Sequence, residues 1–321
     1  KLARNAMATR FELILAGNDP ISLRAAGEEA LDEIERIESL LSVYLPRSEI
    51  ARINAEGSTN PVRVSPMVFD LLVRARELWQ ITEGSFDVTV GPLIKCWGFA
   101  RGKGSVPSLS EIEAAREHVG MGKVDLNESN QTVFLRTDQM AIDMGSIGKG
   151  YAIDVAIEIL RECGVEQSFL QGGTSSMYAI GDGRINDELN GWKVSISRPN
   201  IQDPGAEEQV ICVPGLKDCS LSVSGPSGKF FVHEGRIFGH VIDPRTGWPG
   251  DRALVGAVRC ASAAESDALS TAVLLGSERD LQNLHNNKPP KFDYLQIGMS
   301  GRILSSGFQI LAPGEGLGRV S

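Results

Sequence analysis

The sequence predicts an α+β fold built on a large, mostly antiparallel sheet with helices on its faces. Amphipathic helix patterns dominate the first half of the chain, whereas short apolar segments separated by glycines fill the stretch from Ser168 to Arg259. This order is neither the regular strand–helix alternation of a parallel sheet nor an all-strand pattern. The 321 residues are 42% hydrophobic and 23% charged, an ordinary globular composition, and are predicted to form one domain, residues 1–321.

The first half of the chain contains one predicted strand and two long helices. The strand spans Phe11–Leu15, and the first helix spans Leu23–Leu41 with acidic residues opposite an apolar stripe. The stripe recurs at intervals of three and four residues, at Ala26, Ala30, Ile34, Ile37 and Leu41. The second helix spans Pro66–Thr82, because proline suits a first turn and Gly84 lies just past the end.

The middle of the chain combines a loop, a short helix and a hairpin. Gly98–Pro107 is predicted to be a loop, after which Ser110 begins a helix and Glu113 completes a capping box. A hairpin is expected at Val124–Leu135, turning at Asn127–Asn130.

The second half of the chain is strand-rich. A strand at Ala141–Met144 and a helix at Gly150–Cys163, ended by Gly164, precede it. The predicted strands are Ser168–Leu170, Met177–Ile180, Trp192–Ser197, Val210–Val213, Ser220–Ser224, Phe230–Val232, Ile237–Ile242 and Leu254–Arg259. The mixed polar composition of Asn186–Asp203 is typical of a mobile insertion. The closing elements are helices at Ala263–Leu275 and near Glu278–His285 and a hairpin of Tyr294–Ile297 with Ile303–Ser305.

Charge and composition exclude several classes of partner and site. The net charge is −9 and there is no basic cluster, so nucleic acid is not an expected partner. No apolar run reaches the ~18 residues that a membrane-spanning helix needs. The five cysteines are scattered without CxxC spacing, which predicts neither a zinc site nor a disulfide framework.

The glycine-rich segment Asp143–Asp154 is the most informative motif. An apolar strand-like stretch enters a turn with three glycines, and Lys149 follows at the start of a helix. Backbone N–H groups, the positive end of a helix dipole and a lysine together favour binding of an anion such as phosphate. Gly150 stands where a Walker A loop needs Ser or Thr, and the GxxGxG spacing does not fit a dinucleotide fingerprint. A tight turn with a lysine extending into solvent is the alternative.

Asp267 and Thr271 form a second candidate site. They are four residues apart on a predicted helix, so their oxygens share one face. A carboxylate beside a hydroxyl suits Mg²⁺. The alternative is an exposed aspartate and a threonine that bonds its own helix. The small apolar neighbours predict a buried helix, in which a carboxylate requires a cation or hydrogen bonds.

Three further segments carry polar groups that suit a binding site. His240 precedes Asp243 and Arg245, which are able to pair across a turn, although a purely structural pair with a satisfied histidine is the alternative. Two glycines within Gln171–Ser176 permit close approach of backbone to a ligand. Gly84–Thr89 is a glycine-led polar turn. Tyr44 offers an aromatic face, although packing into the core is the usual role of such a residue.

Taken in order along the chain, these motifs resemble the ApbE family of FAD:protein FMN transferases. The resemblance covers Met7 to about Gly276, and its landmarks are Met7–Thr9, Tyr44 with Ser48, Glu49 and Asn54, Gly84–Pro92, Asp143–Asp154, Gly172–Gly173, Ser224 with Ser227 and Gly228, His240–Gly247 with Pro249, and Ala264–Thr271. The chain departs from the family pattern at Ala8 (usually glycine), Ser146 and Gly148 (usually alanines) and Thr174 (commonly asparagine).

The resemblance implies two closely packed lobes with FAD bound in a central cleft. The FMN half would be transferred to a Ser or Thr hydroxyl of an acceptor flavoprotein, with release of AMP. Mg²⁺ would be bound by Asp267, Thr271 and the backbone carbonyl of Ser146, which survives the change from alanine. His240 would be the general base for the acceptor hydroxyl. The implied FAD contacts are Met7, Tyr44, Ser85, Phe86, Asp87, Asp143, Lys149 and Val241.

Three other functions are alternatives to transfer. A Mg²⁺-dependent FAD pyrophosphatase would use the same groups but admit water in place of the protein hydroxyl. A non-catalytic FAD-binding protein would have no need of Asp267 and Thr271 as a pair, and a phosphate-binding regulatory module would not need His240 or Asp267. The resemblance also implies export to the periplasm or the outer face of the cytoplasmic membrane, by a signal that this chain does not contain, and the cytoplasm is the alternative.

Overall fold

An antiparallel sheet of eight strands forms the centre of the computed structural model. The structure describes residues 1–102, 104–183, 191–199, 209–225, 230–287 and 290–311. Its strands are β1 (Leu2–Ala6), β2 (Thr9–Ala16), β3 (Val62–Arg63), β4 (Val124–Asn127), β5 (Thr132–Leu135), β6 (Gln167–Gly172), β7 (Ser176–Ile180), β8 (Trp192–Lys193), β9 (Ile196–Arg198), β10 (Gln209–Cys212), β11 (Gly215–Leu216), β12 (Cys219–Ser224), β13 (Phe230–His233), β14 (Arg236–Gly239), β15 (Ala253–Cys260), β16 (Asp293–Gly298) and β17 (Ile303–Ser306).

The sheet order is β1-β2-β6-β7-β12-β15-β16-β17, and each neighbouring pair is antiparallel. The remaining strands form small sheets of two or three. The helices are α1 (Pro20–Leu41), α2 (Glu49–Glu56), α3 (Pro66–Ile81), α4 (Gly91–Cys96), α5 (Leu109–Arg116), α6 (Gly148–Glu162), α7 (Ala263–Leu275) and α8 (Glu278–Asn287). The predicted α+β class with a large antiparallel sheet is therefore confirmed.

The two faces of the sheet contribute to different hydrophobic clusters. Along β7, Tyr178 and Ile180 join the cluster that contains α1, α3, α6 and α7, whereas Met177 and Ala179 join the cluster formed with the short strands β8–β11. This alternation follows the two-residue period of a strand. A third cluster contains Trp97 of the short helical region and Phe238 of the β13–β14 hairpin. Helices α6 and α7 thus lie side by side on one face of the sheet.

The predicted strand Ala141–Met144 is wrong. Ala141 makes a single parallel bridge to Val90 and the Asp143 N–H donates to the Val88 carbonyl at 2.7 Å, but no strand of the described residues pairs with the stretch. At Ile142, the side-chain amide of Asn54 makes the hydrogen bonds that a neighbouring strand would make. It accepts from the Ile142 N–H at 2.7 Å and donates to the Ile142 carbonyl at 2.9 Å. Both backbone groups of Ile142 are therefore satisfied without a ladder.

The predicted capping box at Ser110 and Glu113 is also wrong. Helix α5 begins two residues earlier, with Ser108 as N-cap and Glu111 completing the reciprocal pair. The Glu111 N–H donates to Ser108 Oγ at 3.3 Å, and the Ser108 N–H donates to Glu111 Oε2 at 2.8 Å. Both serines satisfy the same sequence pattern, so the pattern alone did not distinguish them.

Other differences concern short elements. The predicted strand Ile237–Ile242 ends at Gly239, and Ile242 makes only an isolated bridge to Pro249. The predicted strand Trp192–Ser197 is two strands, β8 and β9. Strand β1 and helices α2 and α4 were not predicted. Within the predicted insertion Asn186–Asp203, residues 186–190 and 200–203 lie outside the described residues, as do Ser227 and Gly228.

The β1–β2 turn generates a stability prediction. Met7 and Ala8 have φ values of 50° and 56°, the left-handed conformation that both central residues of a type I′ turn require. Ala8 is exposed, so its methyl group contributes little packing. Because a residue with a Cβ is strained there, we expect Ala8→Gly to raise the free energy of unfolding by about 0.5–1 kcal/mol. Urea unfolding monitored by circular dichroism measures this.

The matched control is Ala3→Gly, at an exposed position in the middle of β1 with ordinary strand geometry. Glycine in a strand interior lowers stability by about 0.5–1 kcal/mol, so this substitution is expected to act in the opposite direction. Equal loss of stability in both variants would contradict the assignment of strain to the turn.

Candidate active site

Helices α6 and α7 approach each other with almost no space between their backbones. A Cβ at Gly150 would lie 2.0 Å from the Ala263 carbonyl oxygen and 2.8 Å from the Ala264 Cα. No residue with a side chain fits there without movement of one helix. Gly150 is therefore required by the packing of the two helices, which explains why the Ser or Thr of a Walker A loop is absent.

Asp154 fixes the start of α7 from the middle of α6. Its Oδ1 accepts a hydrogen bond from the Ala263 N–H at 2.6 Å, and its Oδ2 accepts from the Ala264 N–H at 2.9 Å and the Ser262 hydroxyl at 2.7 Å. Burial raises the pKa of Asp154, and these three hydrogen bonds oppose that rise. A carboxylate on the first N–H groups of a helix is also favoured by the helix dipole. Sequence reasoning did not assign this role, because the partners are about 110 residues away.

Asp267 makes the reciprocal contact from α7 to the start of α6. Its side chain is buried, with the residue 4% exposed. Oδ2 accepts a hydrogen bond from the Gly150 N–H at 3.1 Å, and Oδ1 accepts from the Ser176 hydroxyl at 3.0 Å. The interpretation of Asp267 as an exposed surface residue is therefore wrong. The carboxylate lies across the N-terminus of α6, where the glycine turn ends.

Lys149 brings a positive charge to the same place. Its ammonium nitrogen lies 3.5 Å from Asp267 Oδ2 and donates to the Gly145 carbonyl at 3.3 Å. The Gly145 N–H in turn donates to Asp143 Oδ1 at 2.8 Å. The lysine side chain is only 21% exposed, so it folds back over the turn rather than extending into solvent. Ser146 lies half-buried within this turn.

Thr271 follows Asp267 by one helical turn. Its hydroxyl lies 3.4 Å from the Ser224 hydroxyl, which is 2.7 Å from that of Ser270. Farther along β12, the Ser222 hydroxyl lies 2.8 Å from that of Ser266. Alternate residues of β12 thus hold α7 against the sheet through hydroxyl pairs, and the last pair of this row reaches Thr271.

The sequence predicted that His240 and Val241 lie on a strand. This is wrong, because β14 ends at Gly239 and the two residues follow it. The Val241 carbonyl accepts a hydrogen bond from the Gly250 N–H at 2.9 Å. A Cβ at Gly250 would lie 2.5 Å from Leu275 Cδ2, so this segment lies against the last turn of α7. Leu275 is one turn beyond Thr271. The structure therefore places the His240–Val241 segment near the end of α7.

The predicted pair of Asp243 and Arg245 is present. Arg245 Nε donates to Asp243 Oδ1 at 2.9 Å, and Nη2 donates to Oδ2 at 2.7 Å. A cavity of about 20 Å³ lies between Arg245, Ser85 and Ala272 of α7. The segments containing Gly84 and Arg245 thus meet beside α7.

The side chains of Ser85, Phe86 and Asp87 are engaged within the protein. Phe86 is fully buried, and the Ser85 hydroxyl donates to the Thr82 carbonyl at 2.9 Å. Asp87 accepts hydrogen bonds from the Thr89 hydroxyl at 2.6 Å and N–H at 2.8 Å, and from the Met121 N–H at 3.1 Å. Burial raises the pKa of Asp87, and these bonds oppose the rise. Their predicted contact with FAD stays a prediction.

Tyr44 lies at the exposed end of α1. It is 71% exposed, and Leu41 in the last turn of α1 lies 3.6 Å from the position of a Cβ at Gly148. The end of α1 therefore touches the glycine turn through Leu41, and Tyr44 follows three residues later with an exposed ring. Met7, in the β1–β2 turn, packs partly against the main core.

The donors expected for Mg²⁺ are a carboxylate, a hydroxyl and a carbonyl. In the portions of the chain that the structure describes, no group of three or more His, Cys, Asp and Glu side chains is placed to hold a metal ion. The expected set contains a single carboxylate, so it does not depend on such a group.

Within the described ranges, every helix is too short or too polar to cross a bilayer.

Comparison with known proteins identifies the family. Residues 7–295 match the ApbE family. The FAD:protein FMN transferase of Haemophilus influenzae is 30% identical over 280 residues, which cover 84% of this chain and 79% of that protein. Two solved structures each cover 95% of this chain and 96% of their own: the ApbE protein of Thermotoga maritima (TM-score 0.82, 28% identity) and the flavin transferase ApbE of Vibrio cholerae (0.77, 26%). The chain belongs to the ApbE family and is a transferase.

The packing at Gly150 generates a prediction with an internal control. Gly150→Ala is expected to lower the free energy of unfolding by about 3 kcal/mol, because the methyl group would force the α6 and α7 backbones apart. Gly148→Ala is expected to leave it unchanged or slightly raised, since its Cβ would meet Leu41 and Met144 at an ordinary 3.6 Å. Chemical denaturation of both variants measures the difference. Equal effects would show that Gly150 is not fixed by the helix contact.

Proposed function

We propose that this chain transfers the FMN half of FAD to a Ser or Thr hydroxyl of an acceptor flavoprotein, in a Mg²⁺-dependent reaction that releases AMP. The observation that carries this proposal is the meeting of Lys149, Asp267 and the N-terminus of α6 at one point. A cation at the positive end of a helix dipole suits the negative charge of a pyrophosphate. A buried carboxylate at the same point would weaken the binding of a bare phosphate, whereas a divalent metal ion uses a carboxylate as a ligand.

The residues present suit Mg²⁺. The Asp267 carboxylate, the Thr271 hydroxyl and the Ser146 carbonyl are hard oxygen donors, and Mg²⁺ typically uses one or two carboxylates together with substrate phosphates. When bound there, Mg²⁺ would neutralise pyrophosphate charge and make the phosphorus more electrophilic. Ser176 supports this role, because its hydrogen bond to Oδ1 orients the carboxylate and leaves Oδ2 directed at the glycine turn.

The protein's own groups have distinct tasks in transfer. The acceptor hydroxyl oxygen forms a bond to the phosphorus of the FMN half, and the bond from that phosphorus to AMP breaks. His240 takes the hydroxyl proton, since a histidine accepts protons near neutral pH. The Lys149 ammonium group and the positive end of the α6 dipole balance the charge of the departing AMP phosphate. Asp143 orients the turn through the Gly145 N–H.

The remaining contacts would position FAD. Met7 and Tyr44 would contact the cofactor from the β1–β2 turn and the end of α1, and Val241 from the far end of α7. The side chains of Ser85 and Asp87 form hydrogen bonds within the protein and Phe86 is buried, so their contact with FAD would come mainly from backbone carbonyls, because the Ser85 and Phe86 N–H groups are also bonded. We place the reaction in the periplasm or at the outer face of the cytoplasmic membrane.

Asp267→Asn tests the metal role without disturbing the fold. Asparagine has the same shape, and it still accepts from the Gly150 N–H while its amide donates to the Ser176 hydroxyl. The charge is lost, so we expect flavin transfer to fall at least about 100-fold with an unchanged circular dichroism spectrum. The assay incubates the chain with FAD, Mg²⁺ and a candidate acceptor and measures covalent flavin by in-gel fluorescence and mass.

The control is Asp125→Asn, which removes the same charge from the surface hairpin, where Asp125 pairs with Arg136. It is expected to transfer flavin normally. Full activity of Asp267→Asn at limiting Mg²⁺ would contradict the metal assignment. If wild type binds FAD but releases no AMP and modifies no acceptor, the non-catalytic alternative is correct.

Tyr44 tests the difference between transfer and hydrolysis. Its ring is exposed and follows the end of α1 that contacts Gly148 through Leu41, and we propose that it shields the pyrophosphate from water. We expect Tyr44→Asn to raise Mg²⁺-dependent release of AMP from FAD several-fold in the absence of an acceptor, as measured by chromatography. Tyr44→Phe, which keeps the ring, is the control and should not do so. Equal AMP release by wild type and Tyr44→Asn, with FAD binding retained, would leave Tyr44 without this role.

A further inference from the structure

The Lys149 ammonium group is held by two oxygens of the kind that bind Mg²⁺. It lies 3.5 Å from a carboxylate oxygen of Asp267 and 3.3 Å from the backbone carbonyl of Gly145, the residue before Ser146. The Asp267 side chain is 6% exposed and that of Lys149 is 21% exposed, so solvent screens the pair only partly. The lysine therefore places a positive charge at the edge of the expected metal site.

We propose that Lys149 occupies the magnesium position in the metal-free protein and that Mg²⁺ binding displaces its ammonium group toward the pyrophosphate of FAD. This inference rests on the proposed function, which supplies the metal and the substrate. Two cations that share Asp267 Oδ2 repel each other at close range. A lysine side chain has a flexible four-carbon stem, so its charge moves without movement of α6.

Asp267 keeps its position when the lysine leaves. The Gly150 N–H and the Ser176 hydroxyl continue to donate to its two oxygens. The carboxylate is thus held in a fixed orientation by neutral donors, and only the cation in front of it changes. Until the divalent ion binds, the Lys149 ammonium group compensates the negative charge of the buried Asp267 carboxylate.

The exchange links the two substrates. FAD attracts the Lys149 ammonium through its pyrophosphate and so removes a competitor of Mg²⁺, and Mg²⁺ releases the lysine to bind FAD. Linkage makes this coupling reciprocal. Removal of the lysine charge is therefore expected to strengthen Mg²⁺ binding to the FAD-free protein, although it weakens binding of FAD.

The test is calorimetric titration of Mg²⁺ into the FAD-free chain. Lys149→Met, of similar length and without charge, is expected to lower the Kd for Mg²⁺ at least about tenfold relative to wild type. Lys217→Met removes the same charge from an exposed lysine, 3.9 Å from Asp182, and is expected to change the Kd less than about twofold. An unchanged or higher Kd in Lys149→Met would overturn the inference.

Chemical labelling of amines gives a second readout. In the FAD-free wild type, Mg²⁺ is expected to increase acylation of Lys149 several-fold, as measured by mass spectrometry of peptides, and to leave Lys217 unchanged. Protection of Lys149 by Mg²⁺ would also overturn the inference. If Mg²⁺ binds all variants equally, the inference alone is wrong. If no variant binds Mg²⁺ with or without FAD, the magnesium part of the proposed function is wrong as well.

Discussion

The close contact of α6 with α7 is the constraint on which the rest of the site depends. The Gly150 and Ala263 backbones are in direct contact where the helices meet. Each helix also provides a carboxylate that accepts hydrogen bonds from N–H groups at the start of the other helix. Asp154 caps α7 and Asp267 crosses the start of α6. Because these contacts are reciprocal, the two helix ends are fixed relative to each other before any ligand binds. The position of Lys149, one residue from Gly150, follows from the same contact.

The charges at this contact explain why one motif serves two ligands. A phosphate-binding turn alone needs positive charge, and a metal site alone needs negative charge. Here Lys149 and Asp267 lie 3.5 Å apart, so their charges offset each other in the metal-free site. The row of hydroxyls between β12 and α7 contributes fixed dipoles without adding net charge. Such an arrangement suits a substrate whose charge arrives together with that of its metal.

Long periodic elements were predictable, and short or distant contacts were not. Helices α1, α3 and α7 followed from apolar spacing and small-residue composition, and Lys149 and Asp267 were identified by their types and surroundings. The roles of Asp154 and Ser176 were missed, because each acts on a partner about 100 residues away. Helix α2 was also not predicted. It contains Asn54, whose side-chain amide bonds the backbone of Ile142 as a neighbouring strand would. A sequence pattern describes neighbours along the chain, whereas these contacts arise only when the sheet brings α6 and α7 together.

The amide of Asn54 has a consequence for how the glycine turn is held. Because Asn54 rather than a strand bonds both backbone groups of Ile142, the residues from Ile142 to α6 are not part of the eight-stranded ladder. Met144 and Ile147 are instead buried in the main hydrophobic cluster, and the Asp143 N–H donates to the Val88 carbonyl. The turn is therefore fixed by side-chain packing, and opening it would expose part of the core. In hydrogen exchange, we expect the amides of this turn to open together with that packing and not as an independent local unit.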